Sequence, residues 1–325
     1  MSQPNDWICL YPRRQTTNDQ SAMISLDNRG LAYADGFFTT IGVIDGLILW
    51  PDYHYQRLVS HADALQLNIH SEALNSKELF AILEQYAQQL EQGMLKLVVT
   101  RAAQNVRGYG YGPNVEGSDC EIWLKATEMR VSTALQLCLP DENLVPMQPA
   151  ASAVCLSAQI ACLPPRLAGL KSLNRLDNVL ASGELQQIKA SPLASSIVPV
   201  LSEGLLRDMS GHWVEGTMSN VFYQLVEEPL SESEFLSNLH KEDENYLTTG
   251  QWYTPSMAQS GVAGVMRRVI IDALSTTDCP VMIRSLQDED LPKLSRLFFC
   301  NALRGIMPMS HLTLLSGEVV DFKSV

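Results

Sequence analysis

Basic side chains are scarce in this sequence: 23 lysines and arginines stand against 36 aspartates and glutamates, for a formal net charge of -13. A surface of that sign repels phosphate backbones and anionic lipid, so nucleic acid and membranes are not expected partners. An anionic small ligand would need individually placed arginines or helix N-termini. Paired cysteines are missing too. The seven cysteines (9, 120, 138, 155, 162, 279, 300) are scattered, odd in number and never spaced Cys-x-x-Cys, which suits a reducing compartment and gives no zinc site. The six histidines lack metal-ligand spacing, and His54 and His61 read as one solvated helix face. No run of about 18 apolar residues occurs, so no membrane span is expected. The opening MSQPNDWICLYPRR lacks the basic-then-apolar order of a secretion signal. A cytoplasmic, metal-free protein is the expectation.

What is present is ample core. The 325 residues are 46% hydrophobic and 18% charged, enough for one large domain or two moderate ones. Strands are expected at 7–12 and 41–50, the second with an Asp45-Gly46 hairpin turn, and at 95–101, 120–126, 134–139 and 153–160. Helices are expected at about 53–67, with Leu58, Ala62 and Leu65 on one face, and at about 76–92. Residues 127–133 read as a polar connector, which sets a domain boundary between 1–127 and 128–325. Further on, Glu203-Gly204 reads as a hairpin between 196–201 and 205–209; 260–274 as a helix opening at Ser260-Gly261; 286–294 as a helix; 297–301 as a strand; and Gly317 as the turn of a last hairpin. Residues 227–249 read as a solvated acidic insertion.

The stretch AGLKSLNRLDNVLASGEL, residues 168–185, organises the rest. It puts Lys171 between an apolar strand and an amphipathic helix in which Leu176, Val179, Leu180 and Gly183 recur at helical spacing, with Asn174 or Ser172 as N-cap. A lysine amine so placed can form a Schiff base with an aldehyde. The run Gly-Leu-Lys-Ser-Leu-Asn with the Asn-Val-Leu-Ala that follows resembles the cofactor-lysine segment of class IV pyridoxal-phosphate enzymes. That family holds D-amino-acid and branched-chain aminotransferases and aminodeoxychorismate lyases.

Other segments carry the same resemblance. NRGLAYADGFFTT (28–40) is similar to the family's Asp-Arg-Gly-x-x-Tyr-Gly-Asp-Gly-x-Phe signature, with Asn28 and Ala34 in place of Asp and Gly. WVEGTMSNVFYQLV (213–226) is similar to its Glu-Gly-x-x-x-Asn strand-turn-strand. The resemblance implies an α/β (α+β mixed) two-domain protein of fold type IV, D-amino-acid-aminotransferase-like, working as a homodimer with pyridoxal 5′-phosphate. It makes Lys171 the lysine of the internal aldimine, and Arg57 a ligand of the cofactor phosphate. Glu215 becomes the partner of the pyridine nitrogen, with Asn220 positioning the cofactor. The backbone of Val262 and Ala263, with Asn301 and Ala302, would complete the phosphate cup.

Three features favour the lyase branch: Thr39-Thr40 after Phe38, Arg107-Gly108-Tyr109, and Cys300-Asn301-Ala302-Leu303. Arg107 and Tyr109 would hold a substrate carboxylate from a mobile loop at 106–113. Thr39, Thr40 or Lys171 would protonate the leaving group. The implied reaction takes 4-amino-4-deoxychorismate, through an external aldimine, to 4-aminobenzoate and pyruvate. Gly42 stands where relatives often carry arginine, which leaves part of the carboxylate site open. A D-amino-acid or branched-chain aminotransferase, and a non-catalytic cofactor-binding homologue, remain as alternatives.

Overall fold

The computed structural model describes residues 6–11, 24–69, 76–112, 118–130, 135–191, 200–226 and 246–322. Two compact units emerge, Met1–Val131 with Leu170–Arg175, and Ser132–Gly169 with Leu176–Val325. The short lysine segment thus packs with the first unit, which a single boundary at 127 does not provide for.

The first unit comprises β1 (Trp7–Tyr11), α1 (Arg29–Tyr33), β2 (Gly36–Ile44), β3 (Leu47–Ile48), α2 (Pro51–Ala64), β4 (Leu67–Asn68), α3 (Ser76–Leu90), β5 (Gly93–Arg101) and β6 (Ser118–Glu128). Its sheet runs β1-β6-β5-β2-β3, with β4 beside β6. Strict alternation sets the register. Phe37, Thr39, Ile41 and Val43 of β2 and Leu95, Leu97 and Val99 of β5 are buried on one face. They pack with Leu58, Ala62, Leu79, Leu83 and Ala87 of α2 and α3, each larger side chain contributing about 1.5–3 kcal/mol of burial. Asp45 (φ 52°) and Gly46 (φ 72°) make the expected tight turn, pairing Val43 with Ile48. Pro51 opens α2 in the first turn, where its missing N–H is harmless.

The second unit comprises β7 (Leu135–Cys138), β8 (Leu144–Met147), β9 (Ala151–Ile160), α4 (Leu176–Ala190), β10 (Leu201–Asp208), β11 (Trp213–Gly216), β12 (Asn220–Leu225), β13 (Tyr253–Thr254), α5 (Val265–Leu274), β14 (Met282–Ile283), β15 (Leu294–Asn301), β16 (Gly305–Thr313) and β17 (Val319–Asp321). Pairing runs β9-β10-β11-β12, and β15 joins β12 to β16, which returns to β9. These six strands close on themselves and so lose their free edges.

Four expectations are corrected here. Glu203-Gly204 lies inside the continuous strand β10; a Cβ at Gly204 would sit 2.5 Å from Cδ1 of buried Leu156, which would have to shift. The helix expected from Ser260 begins only at Val265, with Gly264 as N-cap. Helix 286–294 is a 3-10 segment, Asp288–Lys293. In α4 the buried residues are Ala181 and Leu185, while Leu176, Val179 and Leu180 are exposed. The expected strand at 196–199, the end of the connector at 131–133, Pro113, and most of the acidic insertion (227–245) lie outside the described residues.

Candidate active site

In the first unit, Leu170–Arg175 lies along β2. Phe38 N–H donates to the Lys171 carbonyl and Leu173 N–H to the Gly36 carbonyl, both at 3.0 Å. Gly36 is needed for the close pairing with β5, since a Cβ there would fall 2.2 Å from the Val99 oxygen, and it would also crowd Leu173 Cδ1 at 3.1 Å. The Lys171 amine nitrogen stands 4.7 Å from the centre of the Phe38 ring. The lysine's backbone N–H donates to His61 Nε2 at 2.9 Å. An accepting Nε2 requires a neutral imidazole with its proton on Nδ1, which lies 3.4 Å from Ser60 Oγ.

His54, Arg57 and His61 are on the buried face of α2. Burial first, then the charges of Arg57 and Lys171, push both histidines down to about 3; Arg175 adds to the effect on His61. Burial, then neighbouring Arg175, lowers Arg57 to about 10. Arg57, Lys171 and Arg175 therefore form a concentration of positive charge beside groups that stay neutral. An anionic ligand group would relieve this like-charge repulsion. Both histidines are buried, in place of the solvated face expected from the sequence. Their i, i+3, i+7 spacing with Arg57, on the same side as Leu58 and Ala62, carried the signal for burial.

Thr39 points into the core, with Oγ1 2.9 Å from His54 Nδ1, while His54 Nε2 is buried without a hydrogen-bond partner. Strand alternation puts Thr40 on the other face, with Phe38. Arg107 and Tyr109 are exposed. Their loop is bracketed from below: Arg29 donates to the Tyr109 carbonyl at 2.9 Å, and Tyr109 meets the Tyr33 ring edge-on. Asp35 accepts from Arg29 Nε at 2.9 Å and Arg101 Nε at 2.8 Å, and Arg101 lies 3.8 Å from the centre of the Tyr111 ring. The signature Arg29 and Asp35 thus serve as supports. Its two departures also fit. Asn28 caps α1 by accepting from Leu31 N–H at 3.1 Å. Ala34 takes the left-handed φ of 55° that favours glycine.

In the second unit, β11 delivers Glu215, which is 3% exposed. Its Oε2 accepts from Val262 N–H at 2.8 Å, and Oε1 lies 3.5 Å from Asn178 Nδ2. Gly261 (φ 76°) lets the chain pass close by: a Cβ there would lie 3.0 Å from Glu215 Oε2. Asn220 Nδ2 donates to the Val262 carbonyl at 2.8 Å. Ala263 N–H donates to the Gly169 carbonyl at 2.9 Å. Val262 and Ala263 are therefore in extended chain before α5, with acceptors already on their amides, not at a helix N-terminus as expected. Their conformation depends on Glu215, Asn220 and Gly169, residues that helical periodicity does not register. Asn301 accepts from Leu303 and Arg304 N–H groups at 3.1 and 2.8 Å and reaches the Met218 carbonyl at 3.4 Å, tying its turn to the one after Glu215. Ala302 follows in that turn. The turn itself is held by Glu203, which accepts from the Thr217 and Ser219 hydroxyls.

The chain belongs to the class IV amino-transferase family, whose model matches residues 36–312. Class IV aminotransferases are pyridoxal-phosphate enzymes. An aminodeoxychorismate lyase of Vibrio harveyi is 24% identical over 301 residues, 92% of this chain and 90% of that one. A putative branched-chain-amino-acid aminotransferase of Methanocaldococcus jannaschii is 24% identical over 318 residues, 97% of this chain and 91% of that one. The crystal structure of 4-amino-4-deoxychorismate lyase from Pseudomonas aeruginosa aligns with TM-score 0.65 and 27% identity, covering 90% of this chain and 88% of that one. The fold is the one shared by fold type IV aminotransferases and aminodeoxychorismate lyase.

Proposed function

We propose that this protein is an aminodeoxychorismate lyase that converts 4-amino-4-deoxychorismate to 4-aminobenzoate and pyruvate with pyridoxal 5′-phosphate, a step toward folate. The observation that carries the reading is the setting of Lys171: an amine held over Phe38, beside buried Arg57 and two histidines that stay neutral. The donor set suits the cofactor. Arg57 in its cationic surroundings fits a phosphate, and Glu215, held by neutral donors, fits a protonated pyridine nitrogen. Asn220 acts here as a brace of 261–264, and Asn301 with Ala302 as a shaped turn. The Glu215 carboxylate and the Val262 N–H are bonded to each other, so for Glu215 to take a ring nitrogen and Val262 a phosphate, this pair must part.

When bound, the cofactor supplies an aldehyde for the substrate amine and a ring that withdraws electrons. Lys171, as a neutral amine, then removes the proton from the substrate's amine-bearing ring carbon. Enolpyruvate leaves the neighbouring carbon, its oxygen taking up a proton, and the ring becomes aromatic. On the face of β2 that bears Phe38, Thr40 is the hydroxyl suited to deliver that proton; Thr39, committed to His54, supports from the core. Arg107 and Tyr109 hold the substrate carboxylates from the loop that Arg29 anchors. A cytoplasmic homodimer is part of this reading. The test is 4-aminobenzoate formation from aminodeoxychorismate with cofactor supplied. A lysine-dependent cofactor spectrum with transamination and no lyase product would move the reading to the aminotransferase branch, to which the archaeal relative bears its name.

A further inference from the structure

We infer that His61 is a positioning residue for Lys171, acting through its imidazole Nε2 on the lysine's backbone N–H; the inference rests on Lys171 being the reactive amine. The lysine peptide is pinned from several sides. Its carbonyl accepts from Phe38 N–H at 3.0 Å, Leu173 N–H bonds the Gly36 carbonyl at 3.0 Å, and the Arg175 guanidinium donates to the carbonyls of Leu170 and Ser172. The remaining backbone group, the Lys171 N–H, meets His61 at 2.9 Å.

The acceptor is well held. His61 is 5% exposed, and its ring packs edge-on against Phe37 with centres 5.4 Å apart. It sits one turn after Arg57 on the same buried face of α2. Side chains four apart on a helix are neighbours, with Cβ atoms about 5–6 Å apart. One rigid helix therefore carries both the arginine that suits a phosphate and the acceptor that fixes the lysine backbone. The spacing between Arg57 and the lysine's backbone is thereby set by α2.

Protonation would turn Nε2 into a donor facing a donor and break the tie. Burial and the charges of Arg57, Lys171 and Arg175 oppose it, holding His61 at about 3. The tie thus persists throughout neutral and mildly acidic conditions. A histidine serves here as a permanently neutral acceptor in a cationic place, where a carboxylate would instead neutralise the charge a phosphate needs.

The test compares His61→Leu, which removes the acceptor, with His61→Gln, which keeps one, in the holoenzyme. Hydrogen exchange of the Lys171 amide should speed up by about tenfold in the leucine variant, with other slow amides unchanged, and return toward wild type with glutamine. Turnover should fall roughly tenfold to a hundredfold in kcat with KM little changed, and glutamine should restore most of it. Unchanged Lys171 exchange in a folded leucine variant would overturn the inference. Should that variant not fold, imidazole nitrogen NMR of the wild type decides: an Nδ1–H neutral ring at pH 7 supports the tie, and an Nε2–H ring or imidazolium overturns it. A protein that shows the exchange effect but no lysine-bound cofactor would overturn the positioning role by removing the functional reading, and leave the hydrogen bond itself standing.

Discussion

The lysine region of the first unit and the glutamate region of the second are built in opposite ways. Around Lys171, three cations are gathered with side chains that remain neutral under their influence, and the backbone is fixed by a histidine. In the glutamate region, the buried Glu215 carboxylate is held by a backbone N–H and a side-chain amide. The first region suits an anionic group; the second suits a protonated nitrogen base. A charge can be kept in a buried place by neutral, oriented dipoles, and it then stays available to a ligand of opposite sign.

The largest expected break in this comparison is Lys171→Ala. Turnover should fall by roughly 10²–10⁴-fold or more, together with the absorbance of the lysine-bound cofactor; an unchanged rate would sink the assignment. On the other side, Glu215→Gln should reduce kcat at saturating cofactor by at least about tenfold, with Glu215→Asp retaining more. Steady-state kinetics on the three proteins checks this, and equal rates would remove Glu215 from the chemistry. Arg57→Ala should weaken cofactor binding by roughly ten- to a hundredfold, as loss of a charge-assisted bond does, with kcat at saturating cofactor changed less. Equilibrium titration of the cofactor reads it, and normal affinity would exclude Arg57 from the phosphate site.

Mild acid, above the range in which carboxylates protonate, should act on the first unit through its histidines. His54 and His61 have folded values near 3, below the unfolded value of 6.5. The unfolded chain therefore binds more protons between these limits. The contribution of the two neutral histidines is complete above about 6.5 and is lost progressively as pH falls toward 3. Urea midpoints measured across this range should fall with pH, and His54→Gln should flatten the slope; parallel slopes would contradict it. The smallest effects separate the two threonines. Thr40→Val should lower turnover with little change in melting temperature. Thr39→Val should cost stability, about 1 kcal/mol, by removing the partner of His54. Equal kinetic effects would contradict their placement on opposite faces.

Local order in the chain made much of this legible. The Asp45-Gly46 turn, the strand at 95–101 and the Trp213–Leu225 strand-turn-strand depend on neighbours in sequence and appear where expected, whereas β2 begins at Gly36, ahead of the strand expected at 41–50. The misses depend on distant partners. Periodicity in α4 grouped Leu176, Val179 and Leu180 correctly on one face but could not say that Ala181 and Leu185 would be the covered ones. Glu203-Gly204 has the composition of a turn, yet its glycine answers to Leu156 across the sheet. The start of α5 is delayed by Glu215, Asn220 and Gly169, which hold the preceding residues extended. The spacing of His54 and His61 with Arg57 signals their burial, but nothing local discloses that a lysine 110 residues along the chain will use His61 as an acceptor.

The account's central claim is tested most directly by 4-aminobenzoate formation from aminodeoxychorismate, with cofactor supplied and Lys171→Ala as control. The account predicts product from the wild type and essentially none from the variant. No product from a wild-type protein that carries the lysine-bound cofactor would contradict it.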